Sequence, residues 1–171
     1  LSPYDRILIA MGPQSKNFLP LKNLPISAVK GQILELKWPA TSAPLPHSLI
    51  SQKYIVMSPD QKSCLVGSTF EHKFSSPLPD QEKAIREIMP NITTFFPALE
   101  NAQIIHCRAA FRASSTHHLP LVGKISDKYY FFTGLGSKGL LYHAWIGKLV
   151  ARALLTNDPS YFPSEINTQI S

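Results

Sequence analysis

An α+β fold with mixed α/β character is what the sequence predicts, on three observations. Segments 26–37 and 54–71 carry the alternation and turn chemistry of an antiparallel sheet. Segments 5–12 and 129–133 are short runs of consecutive apolar residues, the pattern of strands buried on both faces. Helix signals are confined to 79–96 and to 140–155, the second following directly on a glycine-rich loop. With 44% hydrophobic and 16% charged residues over 171 positions, the chain has the composition of an ordered domain.

The elements follow in order. Residues 5–12 (DRILIAMG) form a strand, expected to be parallel, that Gly12 and Pro13 stop. Residues 26–37 form a second strand whose latter half alternates, and Pro39, Pro44 and Pro46 mark a loop. Residues 54–57 and 64–67 flank Ser58-Pro59-Asp60-Gln61 as a hairpin, with 68–71 continuing its second arm. Pro79, Asp80 and Glu82 open a helix, since Pro suits the first turn and acids suit the positive end of the helix dipole. Ile85, Ile88 and Met89 give it an apolar face up to Pro90, and a separate helical stretch is expected over 91–96. A long strand covers 102–113 and an aromatic one 129–133. The helix 140–155 is apolar nearly all round, with His143, Lys148 and Arg152 as its few polar residues, and is expected to be mostly buried.

Composition excludes some functions. No apolar run reaches the roughly 18 residues of a membrane-spanning helix, and the start Leu1-Ser2-Pro3-Tyr4-Asp5-Arg6 is not a signal peptide but resembles the cut end of a longer chain. Two lone cysteines, Cys64 and Cys107, exclude a disulfide scaffold and fit a reducing, cytoplasmic compartment. The net charge of +6 permits a polyanionic partner such as tRNA, although the basic residues are scattered.

Two places carry candidate chemistry. In the loop Gly134-Leu135-Gly136-Ser137-Lys138-Gly139, glycines let backbone approach a ligand, and the helix start beyond it carries partial positive charge. This suits an anion or an electron-rich ring oxygen; a packing turn is the alternative, and the loop is expected to be neither a dinucleotide fingerprint nor a P-loop. Arg108 and Arg112, four apart on one strand, share a sheet face, so at least one guanidinium fork is available for a carboxylate. His117-His118 makes no metal site, because neighbouring side chains in an extended segment point apart. The two cysteines read as core rather than nucleophiles.

Five motifs in order give a family resemblance. Residues 108–123 (RAAFRASSTHHLPLVG) resemble the arginine-strand motif of the FAD-dependent D-amino-acid oxidase/glycine oxidase superfamily, and 132–140 (FTGLGSKGL) its C-terminal flavin loop. Residues 29–32 (VKGQ) resemble its V-R-G-Q segment, residues 4–12 its D-x-hydrophobic-A-x-G strand, and 66–71 (VGSTFE) its G-A-[ST]-[FY]-E hairpin arm. Within the superfamily the motifs are most similar to the oxidoreductase domain of the bifunctional enzymes of tRNA 5-methylaminomethyl-2-thiouridine biosynthesis. Lys30 and Lys138 stand where that family has Arg, and His117 where it has Asp.

The resemblance implies three parts: 1–25 as the end of the first portion of an FAD-binding, Rossmann-like domain, 26–113 as a substrate-binding antiparallel sheet with flanking helices, and 114–171 as the C-terminal part of the FAD-binding domain. The family's N-terminal G-x-G-x-x-G unit, which holds the ADP moiety, is expected as a further partner half, so FAD is implied for the full-length protein rather than for these residues alone. The implied chemistry is oxidation of a C–N bond, removing the carboxymethyl group of carboxymethylaminomethyl-uridine in tRNA. Arg112 would hold the substrate carboxylate, with Gly12, Gly134, Gly136, Ser137, Lys138, Gly139 and Leu140 at the flavin. A glycine, sarcosine or D-amino-acid oxidase, or a non-catalytic module, are the alternatives.

Overall fold

The computed structural model describes residues 3–170, which form an α+β chain in two compact units: the described residues of 1–29 with 111–171, and Lys30–Ala110. The strands are β1 (Ile7–Ile9), β2 (Ile26–Lys37), β3 (Leu49–Ile50), β4 (Tyr54–Met57), β5 (Ser63–Gly67), β6 (Ile104–Ser115), β7 (Leu121–Lys124) and β8 (Tyr129–Thr133); the α-helices are α1 (Gln81–Phe95) and α2 (Gly139–Thr156). The unit boundaries fall inside β2 and β6.

The Lys30–Ala110 unit is a sheet covered by α1. The strand order is β3-β4-β5-β2-β6, and β4 and β5 form the hairpin expected from the Ser58–Gln61 turn, with Met57 opposite Cys64. Leu34, Leu36, Ile55 and Val66 meet Ala84, Ile88 and Ile92 of α1 in a solvent-free core. The spacing of those three helical residues at i, i+4 and i+8 is a helix stripe. Asp80 caps the helix by accepting from the Lys83 amide at 3.0 Å. One α-helix runs through Pro90, where two separate stretches were expected. An interior proline costs about 3 kcal/mol, yet the buried stripe continues across it to Ile92, and Thr94 Oγ1 donates to the Pro90 carbonyl at 2.8 Å.

A buried polar network lies in the same unit. Glu71 accepts from Gln32 Nε2, Thr69 Oγ1 and Lys83 Nζ, each at 2.8 Å. Gln32 Oε1 accepts from the Asp80 amide at 2.6 Å, and Lys30 Nζ donates to the carbonyls of Ser76 and Leu78. Lys30, Gln32 and Glu71 therefore tie the 71–80 segment to β2. Burial pushes the Glu71 carboxyl up, but the hydrogen bonds from Lys83, Thr69 and Gln32 outweigh it and hold the group below the usual range. Cys64 is fully buried, and desolvation pushes its thiol up to about 11, as suits a core residue.

The second unit is built on a three-stranded sheet in the order β1-β8-β7. β1 runs parallel to β8, Leu8 opposite Tyr130, and β7 is antiparallel to β8. β7 was not among the expected strands. Its Val122 and the neighbouring Tyr130 face Ile146, Val150 and Ala153 of α2, while Leu121 and Phe131 face Ile9, Leu21, Leu24 and Ala113. Leu21 and Leu24 belong to a stretch whose 3-10 turns, Gly12–Asn17 and Leu19–Leu21, follow β1.

The expectation that 140–155 is mostly buried is corrected. Ile146, Val150 and Ala153 are buried, but Leu140, Leu141, Ala144, Trp145, Lys148, Ala151, Arg152 and Leu155 are all exposed. At 3.6 residues per turn these eight positions fall within an arc of about 140°. The helix packs on one side only, because no described residue covers the other.

Candidate active site

The site is a cavity of about 370 Å³ within the unit that holds β1, β8 and α2. Ala10 and Gly12 line it from the end of β1, Phe111, Arg112 and Ala113 from the end of β6, Phe132 to Gly136 from the end of β8 and its loop, and His143 from the first turns of α2. It lies at the carboxyl ends of two parallel strands, where open α/β sheets bind ligands because the chain ends there diverge to opposite faces.

Local chemistry opens this cavity. Thr133 Oγ1 donates to the Gly12 carbonyl at 3.1 Å, tying the two strand ends together. Gly12, Gly134 and Gly136 all have positive φ, +57°, +76° and +55°. At Gly136 a side chain would be strained by φ and would also press on Ser114 Oγ at 3.3 Å. A Cβ on Gly12 would meet nothing within 4 Å, so the space beside that backbone is open. The loop closes in a 3-10 turn, Gly136–Lys138, and α2 starts without a side-chain cap, leaving the first N–H groups of the helix for a ligand or water.

The sequence candidates divide. Arg112, Gly12, Gly134 and Gly136 come together at the cavity; Ser137, Lys138, Gly139 and Leu140 are not among its lining. Gly139, expected to need positive φ or a close approach, is helical at φ −53°, and an added Cβ would touch only Leu135 at an ordinary 3.7 Å. Only Arg112 of the pair lines the cavity; Arg108 instead bonds Glu35 and holds that carboxyl below its usual range.

The glycines at 134, 136 and 139 do match G-x-G-x-x-G by spacing, contrary to the expectation that the loop departs from that fingerprint. Context separates the two: a dinucleotide unit needs a second parallel strand after its helix, and among the described residues α2 is followed by a 3-10 turn and no strand. Among the lining residues without a role assigned from sequence, two are polar, Thr133 and His143. Thr133 was read as the end of a strand and as part of the flavin-loop resemblance at 132–140, with no role of its own. His143 was read only as a polar position, although its Nδ1 lies 3.0 Å from the carbonyls of both Gly139 and Leu140. Carbonyls only accept, so Nδ1 is the donor in these contacts.

The profile described as FAD dependent oxidoreductase matches residues 2–153. The chain belongs to the FAD-dependent oxidoreductase family. Among curated relatives it is similar to the tRNA 5-methylaminomethyl-2-thiouridine biosynthesis bifunctional protein MnmC of Idiomarina loihiensis, 28% identical over 86% of this chain and 25% of that protein. The MnmC of Marinobacter nauticus is 25% identical over 97% of this chain and 27% of its own length. Among solved structures, iminodiacetate oxidase from Chelativorans sp. BNC1 matches with a TM-score of 0.75 at 22% identity, over 97% of this chain and 46% of that one. Glycine oxidase from Geobacillus kaustophilus matches with a TM-score of 0.76 at 18% identity, over 97% and 45%. This chain thus spans about a quarter of those curated relatives and under half of those oxidases. No described helix is long and apolar enough to cross a membrane.

The cavity fits the family's cofactor in part. Its volume is at the lower end of ligand pockets, about 300–1,000 Å³, room for a ring rather than a whole dinucleotide. The open space beside Gly12 and the uncapped start of α2 suit a flat, electron-rich ring.

Proposed function

We propose that this chain supplies the substrate-carboxylate clamp and the flavin-ring loop of an enzyme that oxidises the C–N bond of an N-carboxymethyl group, with carboxymethylaminomethyl-uridine in tRNA as substrate. The observation that carries the reading is that Arg112 lines the same cavity as Gly12, Gly134 and Gly136.

Arg112 would hold the substrate carboxylate through its two-pronged fork, presenting the adjacent CH₂ toward the glycine loop. Bound FAD would supply the two-electron acceptor for hydride leaving that carbon. The backbone of Gly134 to Gly136, which lines the cavity, and the positive end of α2 beyond it would favour the negative charge that the ring gathers on reduction. Hydrolysis of the resulting imine would release glyoxylate and leave the aminomethyl group on the nucleoside. No side chain is assigned as an acid or base if the amine arrives neutral.

Two features support tRNA over a free amino acid: the MnmC relatives and the net charge of +6. The fold likeness to iminodiacetate and glycine oxidases favours a second reading, a small-molecule amine oxidase. Iminodiacetate, glycine and carboxymethylaminomethyl-uridine share N–CH₂–COO⁻, so Arg112 serves either.

The test offers flavin-loaded protein containing these residues three substrates in turn: tRNA carrying carboxymethylaminomethyl-uridine, glycine and iminodiacetate. Glyoxylate release from the tRNA alone is the expected result. Release from glycine or iminodiacetate with the tRNA untouched transfers the site to the second reading, and release from none makes the chain a non-catalytic module.

A further inference from the structure

Oxidation of a C–N bond needs a lone pair on the substrate nitrogen, because the electrons that close the C=N bond as hydride leaves come from that nitrogen. An alkylamine carries an extra proton at neutral pH and has no such pair. A group beside it must take that proton first, and a base serves best when its own titration lies near the working pH.

The lining of the cavity offers few groups for this. Arg112 stays protonated and only donates. The Thr133 hydroxyl is a far weaker base and donates to the Gly12 carbonyl at 3.1 Å. Phe111, Phe132 and Leu135, like the alanines and glycines, have no titratable side chain. His143 remains: among the residues lining the cavity, it is the one whose side chain can take up a proton near neutral pH.

The ring is also held in place. Its Nδ1 donates to the carbonyls of Gly139 and Leu140, 3.0 Å from each. In a neutral ring with Nδ1 as the donor, the lone pair sits on Nε2. The two helix carbonyls thus select the tautomer that has its acceptor on the outer nitrogen. His143 is exposed, so a proton taken up at Nε2 has a path to water. Arg112, from β6, is the other charged side chain in the lining; β1, β8 and the loop after it contribute none, and α2 contributes His143 alone.

We propose that His143 is the general base of this site, with Nε2 accepting a proton from the ammonium of the N-carboxymethyl substrate whose carboxylate Arg112 holds. The N–H bond breaks toward the imidazole, which becomes imidazolium. The freed lone pair closes the C=N bond as the adjacent CH₂ gives its hydride to bound flavin, and the imidazolium returns its proton to water. This rests on the reading of the site as one that oxidises an N-carboxymethyl amine, and it holds whether that amine is carried by tRNA or is free.

The experiment follows kcat/KM against pH in the flavin-loaded protein containing these residues. The substrate is whichever of carboxymethylaminomethyl-uridine tRNA, iminodiacetate and glycine the parent oxidises. For the parent, kcat/KM should rise with pH and level off well below the titration of the substrate amine itself. His143→Gln and His143→Ala should each lower it on the order of 100-fold at pH 7. In both variants it should then climb in proportion to the fraction of neutral amine and approach the parent at high pH. Both should keep the parental flavin-to-protein absorbance ratio. A parental plateau retained in either variant overturns the proposal, and so does a parent that itself climbs to the titration of the amine. A loss of the same size at every pH also overturns it and makes His143 a positioning residue; lost flavin overturns it and assigns the ring to cofactor binding. Glyoxylate release by the parent with unchanged variant profiles removes the base and leaves the substrate reading standing. A parent that oxidises none of the three removes that reading, and the base with it.

Discussion

The Thr133 hydroxyl, at the end of β8, donates to the carbonyl of Gly12, just beyond the end of β1, over 3.1 Å. This bond joins the two strand ends that bound the cavity. Thr133 is buried, so Thr133→Val removes the donor with little change of shape and should cost about 1 kcal/mol. A fall in the urea midpoint at unchanged m-value is the expected readout; an unchanged midpoint would show that the bond contributes nothing.

Arg112 gives the sharpest functional prediction. In flavin-loaded protein, Arg112→Leu should reduce kcat/KM for an N-carboxymethyl substrate by the equivalent of about 2–5 kcal/mol, the cost of removing one partner of a desolvated pair. Arg112→Lys should recover only part, since the fork is lost. Arg108→Leu should leave kcat/KM near parental, because that guanidinium is engaged by Glu35. Equal losses at 108 and 112 would contradict the assignment.

Glu71 makes stability depend on acid. Its folded-state carboxyl is held below the usual range, so its contribution is complete above the ordinary glutamate value of about 4.3 and fades as pH falls through the folded value. The urea midpoint of the parent should therefore drop as pH is lowered below about 4. Glu71→Gln should be less stable at pH 7 and should show a flatter acid dependence. Fluorescence of Trp38, buried against Phe96 in the same unit, reports the transition in a Trp145→Phe background. A parallel acid slope in the variant would assign the effect elsewhere.

The two loop glycines should respond with opposite signs. Gly139→Ala, at a helical position with room for a methyl group, should raise stability by about 0.5–1 kcal/mol. Gly136→Ala forces φ +55° on a residue with a Cβ and should lower it by about 1–2 kcal/mol. Flavin retention in the loaded protein should fall with the second and not the first. Thermal melts and the flavin-to-protein absorbance ratio check both.

The 171-residue chain by itself should purify colourless. Its cavity has room for a ring and not a dinucleotide, so the phosphate and adenosine contacts are missing. Stoichiometric flavin absorbance near roughly 450 nm surviving gel filtration would refute this.

Local pattern determined a good deal of this protein. The alternation in 26–37 and the Ser58–Gln61 turn specified β2 and the β4–β5 hairpin, because strand period and turn chemistry are properties of a few neighbouring residues. The consecutive apolar runs at 7–9 and 129–133 specified a parallel pair, and the glycine loop before 139 specified a helix start. Five ordered motifs pointed to the family. Tertiary structure alone decided the rest. Whether a helix survives Pro90 depends on a core stripe that holds both sides of it. Which of Arg108 and Arg112 lines a cavity depends on which part of β6 borders it, since only residues 111–113 of that strand do, while Arg108 bonds Glu35. His143 joins the site through a backbone contact one turn earlier, which no residue spacing announces. The apolar composition of α2 predicts a helix that is mostly buried. Only the packed chain shows that its own residues cover one side, because burial is a relation between distant segments and hydrophobicity is not.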